Sequence, residues 1–140
     1  MTRISSIAIA VALSVFLLSI VSIAQQDQST SLANSVYVEL AKVPKKAAAR
    51  RNPLAADPEA PAAGAKLFAR HCAACHGETA EGGKKGPSLR ATEVQQVAPG
   101  AIFWILTNGV VRRGMPVWSK LPDAQRWQLV SYIKSLGTGV

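Results

Sequence analysis

Apolar residues recur at helical spacing in three stretches, and all three lie after residue 57. The last stretch carries them at i, i+3, i+4 and i+7 on one helix face: Leu129, Tyr132, Ile133 and Leu136. Pro61, Pro99 and Pro122 suit the first turns of the three helices, while Gly109 and Gly137 end the second and third. No alternating strand pattern competes, so the sequence predicts an all-α domain of three or more short helices over residues 57–140.

A different apolar pattern occupies the amino terminus. Residues 4–23 are almost wholly apolar, Arg3 precedes them, and Ser22-Ile23-Ala24 places small residues where a signal peptidase reads. We therefore expect residues 1–24 to be a signal peptide that is cleaved before Gln25. An uncleaved anchor is the alternative, because about 20 apolar residues also span a bilayer. Either way, the rest of the chain is exported, and we expect it in the periplasm.

Residues 25–56 have too little apolar surface to offset the entropy of ordering them alone. They hold a short apolar patch at 36–40, two prolines (Pro44 and Pro53) and a run of cations. The cations are Lys42, Lys45, Lys46, Arg50 and Arg51. The pattern favours an extended basic arm or tether, and the alternative is a segment that lies along the helical domain or on a partner.

The whole chain of 140 residues is basic, with 16 Lys and Arg against 8 Asp and Glu and a net charge of +8. Its cations are scattered rather than interleaved with aromatic residues, which argues against nucleic-acid binding. A positive field of this kind attracts acidic protein surfaces, and salt weakens it.

The most specific feature is Cys72-Ala73-Ala74-Cys75-His76. C-x-x-C-H is the attachment signature of a c-type haem. Two thiols on one tight turn can each bond to a vinyl group of the same porphyrin, and the imidazole that follows is carried under the iron. The sequence thus predicts one covalent haem c on Cys72 and Cys75, with His76 as an axial iron ligand.

A second axial ligand is offered by Met115, the one methionine left after removal of the amino-terminal segment. It stands in Gly114-Met115-Pro116, where glycine allows a close approach and proline stiffens the chain. A His/Met pair favours reduced iron and raises its potential. The alternative is that Met115 fills a gap in the core. His71 adjoins Cys72 too closely to reach the far face, and we expect it at the surface or on the propionate side.

A zinc site is the rival chemistry for this cluster. His71, Cys72, Cys75 and His76 are four candidate ligands, but they crowd into six residues. Zinc modules instead bring together separated pairs. The spacing therefore argues for haem.

Together these motifs resemble the class I c-type cytochromes, the small monohaem electron carriers of bacterial periplasms and mitochondria. The resemblance covers residues 57–140 and includes Gly86-Pro87-Ser88-Leu89 in the family's order. It also includes a glycine and an aromatic residue on the first helix, Gly64 and Phe68, opposite Leu129 and Tyr132 on the last.

The resemblance implies a cytochrome c fold in which the helices enclose the haem and leave one edge exposed. It also implies that the Pro87 carbonyl accepts a hydrogen bond from His76 and fixes the ring. The chain departs from the family at Leu121-Pro122, where the last helix has no side-chain cap. The interval between His76 and Met115 is short, as in compact bacterial members, and residues 25–56 have no counterpart.

Two further residues are candidates near the haem. Trp118 walls the Met115 side of the pocket, donates to a haem propionate, or simply packs in the core. Arg113 either pairs with a propionate, forms part of a docking rim, or is simply solvated. Trp127 and Phe103 are interpreted as core residues.

These features predict an electron-transfer protein rather than an enzyme, because iron with both axial positions filled has none open to substrate. The favoured function is a periplasmic one-electron carrier, taking electrons from a dehydrogenase or quinol-oxidising complex and passing them to an oxidase or reductase. One alternative is a dedicated electron-accepting haem subunit of a larger oxidoreductase. Another is a haem sensor or enzyme, which requires Met115 to leave the iron. Membrane contact is expected only if the amino-terminal segment stays uncleaved.

Overall fold

A computed structural model of the chain describes residues 36–137. The expected signal peptide or anchor at 1–24, the first part of the arm and the last three residues lie outside this range. Residues 36–41 are helical, and further helices follow in chain order. These are α1 (Lys45–Ala48), α2 (Ala60–His71), α3 (Ala73–His76), α4 (Thr92–Gln96), α5 (Pro99–Asn108), a 3₁₀ turn (Val111–Arg113) and α6 (Asp123–Ser135).

The predicted all-α cytochrome c fold is confirmed. Helices α2, α5 and α6 are the three that the apolar periodicity predicts, and their bounds agree to within one or two residues. No strand forms between residues 36 and 137, where one isolated β-bridge joins Val110 and Met115.

Helices α2 and α6 cross in close contact at Gly64. A Cβ added to this residue would lie 2.0 Å from the Gln128 carbonyl oxygen and 2.8 Å from the Tyr132 Cβ. The Phe68 and Tyr132 rings meet beside it, with centroids 5.2 Å apart, and Leu129 is buried. The four residues singled out from the sequence therefore form the helix crossing.

Helix α5 packs on α6 through a stacked pair of rings, Phe103 and Trp127, with centroids 4.1 Å apart. Both are buried, as expected of core residues. Arg126 is buried beside them, and its guanidinium lies 4.7 Å from the Phe103 ring centroid. It donates hydrogen bonds to the Leu121 carbonyl, at 3.1 Å, and to Thr107 and Asp123. Each of the three nitrogens of this buried cation therefore has an acceptor.

The start of α6 has no side-chain cap, because Pro122 occupies the capping position. Asp123 follows in the first turn, where a carboxylate interacts favourably with the helix dipole. Its side chain also pairs with Arg126. The backbone conformation of Pro122 and the Asp123–Arg126 ion pair therefore stabilise the start of the helix in place of a side-chain cap.

Residues 37–56 contact the helical domain at several points. Asn52 donates to the Ser131 hydroxyl at 2.8 Å, and the Arg50 guanidinium lies 4.4 Å from the Phe103 ring centroid. At Gly100, an added Cβ would stand 2.4 Å from the Ala47 carbonyl oxygen, so α1 crosses the start of α5 at close range. The alternative reading, in which the segment lies along the domain, describes residues 37–56.

Helix α4 was not predicted from the sequence. Its Gln95 side chain donates to the Leu89 carbonyl at 2.6 Å and to the Ile133 carbonyl at 3.0 Å. This amide thereby ties the loop after residue 86 to helix α6.

None of the helices described between residues 36 and 137 combines the length and apolar character needed to cross a bilayer.

Candidate haem site

The two cysteines and His76 share one helical turn. Helix α3 begins directly after Cys72, whose carbonyl accepts the backbone N–H groups of Cys75, at 3.1 Å, and His76, at 3.0 Å. Both thiols are free. Cys72 is half-buried and Cys75 exposed, and burial, followed by the charge of Cys75, raises the pKa of the Cys72 thiol to about 11. The backbone thus presents both sulfurs and the imidazole from a single turn.

His76 is buried, with 8% of its surface exposed. Its Nδ1 lies 2.8 Å from the Pro87 carbonyl oxygen. A carbonyl can only accept, so this nitrogen carries the proton and donates. In the neutral imidazole with its proton on Nδ1, the other ring nitrogen, Nε2, has a lone pair for a metal ion.

The loop that supplies the Pro87 carbonyl approaches the imidazole very closely. At Gly86, an added Cβ would lie 3.1 Å from both the Cε1 and the Nδ1 atoms of His76. At Gly82, with φ at +85°, an added Cβ would lie 2.5 Å from the Ser88 amide nitrogen. The sequence places Gly86 in the Gly86-Pro87-Ser88-Leu89 motif but does not identify it as the residue that leaves room for the ring.

Met115 closes a tight loop after helix α5. Its backbone exchanges two hydrogen bonds with Val110, at 3.0 and 3.2 Å, and Gly114 before it adopts a left-handed conformation with φ at +85°. The Met115 side chain is half-buried and packs against the hydrophobic core. The Trp118 amide donates to the Leu106 carbonyl at 2.9 Å, which fixes the far end of the loop.

Trp118 also packs against the core, and its ring meets His71 with centroids 5.3 Å apart. Since His71 adjoins Cys72, this contact joins the Met115 loop to the C-x-x-C-H turn. Cys72 and Met115 pack against the same core.

Arg113 is exposed at the end of the 3₁₀ turn. The pKa of Glu39 is lowered, mainly by its hydrogen bond from Lys42 and further by the charges of Arg113 and Arg112.

Between residues 36 and 137, no three His, Cys, Asp or Glu side chains converge in a way that could hold a metal ion.

Residues 59–133 match the family described as "Cytochrome C oxidase, cbb3-type, subunit III". This match covers more than half of the chain. The chain belongs to this family.

The chain also resembles a curated protein. It is 38% identical over 98 residues to the "Cbb3-type cytochrome c oxidase subunit CcoP" of Azospirillum sp. (strain B510), and the match covers 63% of this chain. The aligned region is 32% of that relative, so the chain spans about a third of its length. No solved structure gives a significant match. These findings establish a c-type cytochrome, and the narrower class I monohaem assignment goes beyond them.

The residues present fit the haem c that this family implies. The two thiols are free and share one turn, and the adjacent imidazole is held by its Nδ1 so that Nε2 is available. The thioether of Met115 is a soft ligand suited to iron. Four other partly buried apolar residues pack, like Cys72 and Met115, against the hydrophobic core: Leu89, Val97, Trp118 and Leu121.

Proposed function

We propose that this chain is the electron-accepting haem c component of a larger oxidoreductase complex of the cytochrome oxidase type. The observation that carries the proposal is the turn in which Cys72, Cys75 and His76 are presented together, with His76 Nδ1 on the Pro87 carbonyl. Membership of the cbb3-type subunit III family and the likeness to an oxidase subunit support the complex rather than a free carrier.

In this proposal Cys72 and Cys75 would hold one haem covalently through their sulfurs. His76 would bind its iron through Nε2. The Pro87 carbonyl holds the His76 ring in one orientation and makes it a stronger electron donor. The haem, once bound, supplies reversible one-electron chemistry at its iron.

Met115 is proposed as the second axial ligand. The Val110–Met115 hydrogen bonds and the left-handed Gly114 hold the backbone of its loop in a fixed shape. With His76 and Met115 both engaged, the site admits electrons and excludes small substrates. An electron-transfer role, rather than catalysis by this chain, follows from that closure.

Trp118 and Arg113 are proposed to act around the haem edge. Trp118, in contact with His71, walls the side of the site that carries Met115. Arg113 is exposed and cationic, which suits it to the rim of a transient interface with an acidic redox partner.

The proposed organisation keeps the haem domain at residues 57–140 on the periplasmic side, with residues 1–24 as a signal peptide or anchor. A dehydrogenase or quinol-oxidising complex would supply the electrons, and the oxidase would consume them.

Purification of the full chain from membranes of its own host tests this proposal. We expect a coloured protein whose mass exceeds that of the polypeptide by one covalently bound haem, and which co-purifies with an oxidase in mild detergent. A haem-loaded chain recovered alone from the soluble periplasm would instead favour the free one-electron carrier. A colourless chain with the mass of its amino acids would contradict both.

A further inference from the structure

The peptide group between Ser88 and Leu89 is held at both of its polar ends. Its N–H, on Leu89, donates to the Ala80 carbonyl at 2.9 Å. Its carbonyl, on Ser88, accepts the hydroxyl of Tyr37 at 2.9 Å. A peptide that is hydrogen-bonded at both ends has little freedom to rotate, because rotation would break one of the bonds.

The preceding peptide group carries the Pro87 carbonyl that accepts from His76 Nδ1. Its position depends on the backbone angles of Ser88, which link it to the clamped peptide. Pro87 itself restricts the chain on the other side, since its ring fixes φ. Tyr37 is therefore two peptide groups from the imidazole although it lies 51 residues away from Ser88 in sequence.

Tyr37 belongs to the segment before the haem domain, and its own position is fixed by packing. Its ring is half-buried and packs against the hydrophobic core. The segment that follows is anchored again at Asn52, which donates to the Ser131 hydroxyl. Because packing fixes the ring, it also fixes the position of the hydroxyl. The hydrogen bond to the Ser88 carbonyl therefore forms without further ordering of the side chain.

We propose that Tyr37 is a positioning residue for the iron ligand His76, and that the segment before the haem domain thereby tunes the redox potential of the site. This inference rests on the proposed function, in which His76 binds the iron of haem c. It adds a residue outside the region that the family model matches, which begins at residue 59.

The direction of the effect follows from the hydrogen bond to Pro87. A well-aligned bond from Nδ1–H makes the imidazole a stronger donor through Nε2, which favours oxidised iron. Release of the Ser88 carbonyl loosens the Pro87 carbonyl and weakens that bond. The Tyr37→Phe variant should therefore shift the reduction equilibrium toward the reduced form by about two- to tenfold, the range expected for weakening one hydrogen bond.

The test compares the haem-loaded full chain with its Tyr37→Phe and Tyr132→Phe variants. Tyr132→Phe is the matched control, because it removes one hydroxyl from a tyrosine that packs on Phe68 at the helix crossing. Two quantities are measured: the midpoint potential and the rate at which the His76 Nδ1 proton exchanges with solvent by NMR. A tenfold shift in the equilibrium corresponds to about 59 mV for one electron.

The expected result is a higher potential and faster exchange of the Nδ1 proton in Tyr37→Phe, with both quantities unchanged in Tyr132→Phe. Any other pattern of the two readouts overturns the role of Tyr37. A chain that binds no haem contradicts the proposed function instead, so the two failures are distinguishable.

Discussion

Gly86 lies so close to the imidazole of His76 that a Cβ at residue 86 would stand 3.1 Å from Nδ1. Such a contact is tighter than nearly all real Cβ contacts, so either the ring or the loop would have to move. We predict that Gly86→Ala destabilises the haem-loaded protein by about 1 kcal/mol, the lower end of the cost of overpacking. Urea unfolding followed by the visible spectrum measures this.

Gly83→Ala is the matched control, because an added Cβ there meets nothing within 4 Å. We expect it to be neutral or to stabilise the protein by up to about 1 kcal/mol, since alanine restricts the unfolded chain. Equal unfolding midpoints for the two variants would show that the ring does not need the space at Gly86.

The close crossing of helices α2 and α6 predicts the sign of the stability change when Gly64 is replaced by alanine. Glycine to alanine inside a helix ordinarily stabilises it by about 1 kcal/mol. At Gly64, however, the new methyl would overlap the Gln128 carbonyl oxygen, at 2.0 Å. We predict that Gly64→Ala destabilises the fold by about 3 kcal/mol, the upper end of overpacking costs. A rise in the thermal midpoint would exclude this close crossing.

The three long helices were predictable because each buries one periodic apolar face and is bounded by proline or glycine. Helix α4 was missed because it has five residues, too few to show a period. The helix crossing at Gly64 was anticipated from the resemblance to class I cytochromes.

The packing of residues 37–56 had no such signature. It depends on the Arg50 guanidinium over Phe103 and on single hydrogen bonds from Tyr37 and Asn52. These contacts join residues far apart in sequence, so periodicity and composition do not reveal them. The spacing around Cys72 and His76 predicted the chemistry of the turn, while the space that Gly86 leaves depends on tertiary geometry.

Asn52 offers a test of whether residues 37–56 are held to the domain. Removal of its hydrogen bond to Ser131 should cost about 1 kcal/mol, which makes local opening of the segment about fivefold more frequent. We predict that Asn52→Ala raises the rate of tryptic cleavage after Lys45 and Lys46 by about this factor.

Asn108→Ala serves as the control, since the Asn108 amide donates to the Trp104 carbonyl within its own helix, at 2.8 Å. Cleavage after Lys45 and Lys46 should be unaffected by it. If wild type and Asn52→Ala are cut equally fast, Asn52 does not anchor the segment.

The proposed role of Met115 as an iron ligand is tested by replacing it with alanine, which should leave one ligand position of the iron free. In haem-loaded Met115→Ala, we expect loss of the weak far-red absorption band that Met–iron bonding gives this class of cytochrome. We also expect rapid carbon monoxide binding after reduction, because one axial position becomes free. Val117→Ala is the control, as Val117 is 51% exposed in the same loop. An unchanged spectrum in Met115→Ala would mean that another group, or none, fills that position.

We predict that the stability contributed by the Tyr37 hydroxyl is lost at alkaline pH. Burial, and then the charge of Glu93, raise the pKa of Tyr37 above its ordinary value of 10.0. A group whose pKa is raised by folding adds stability that is complete below the unfolded pKa and is lost as pH rises through the folded pKa. The free energies of unfolding of wild type and Tyr37→Phe, measured by urea between about pH 8 and about pH 11, should therefore converge as pH rises. Both proteins share every other titrating group, so the difference isolates this hydroxyl. A difference that stays constant across that range would show that the Tyr37 hydroxyl is equally solvated in the folded and unfolded chain, and its bond to Ser88 would then add nothing to the fold.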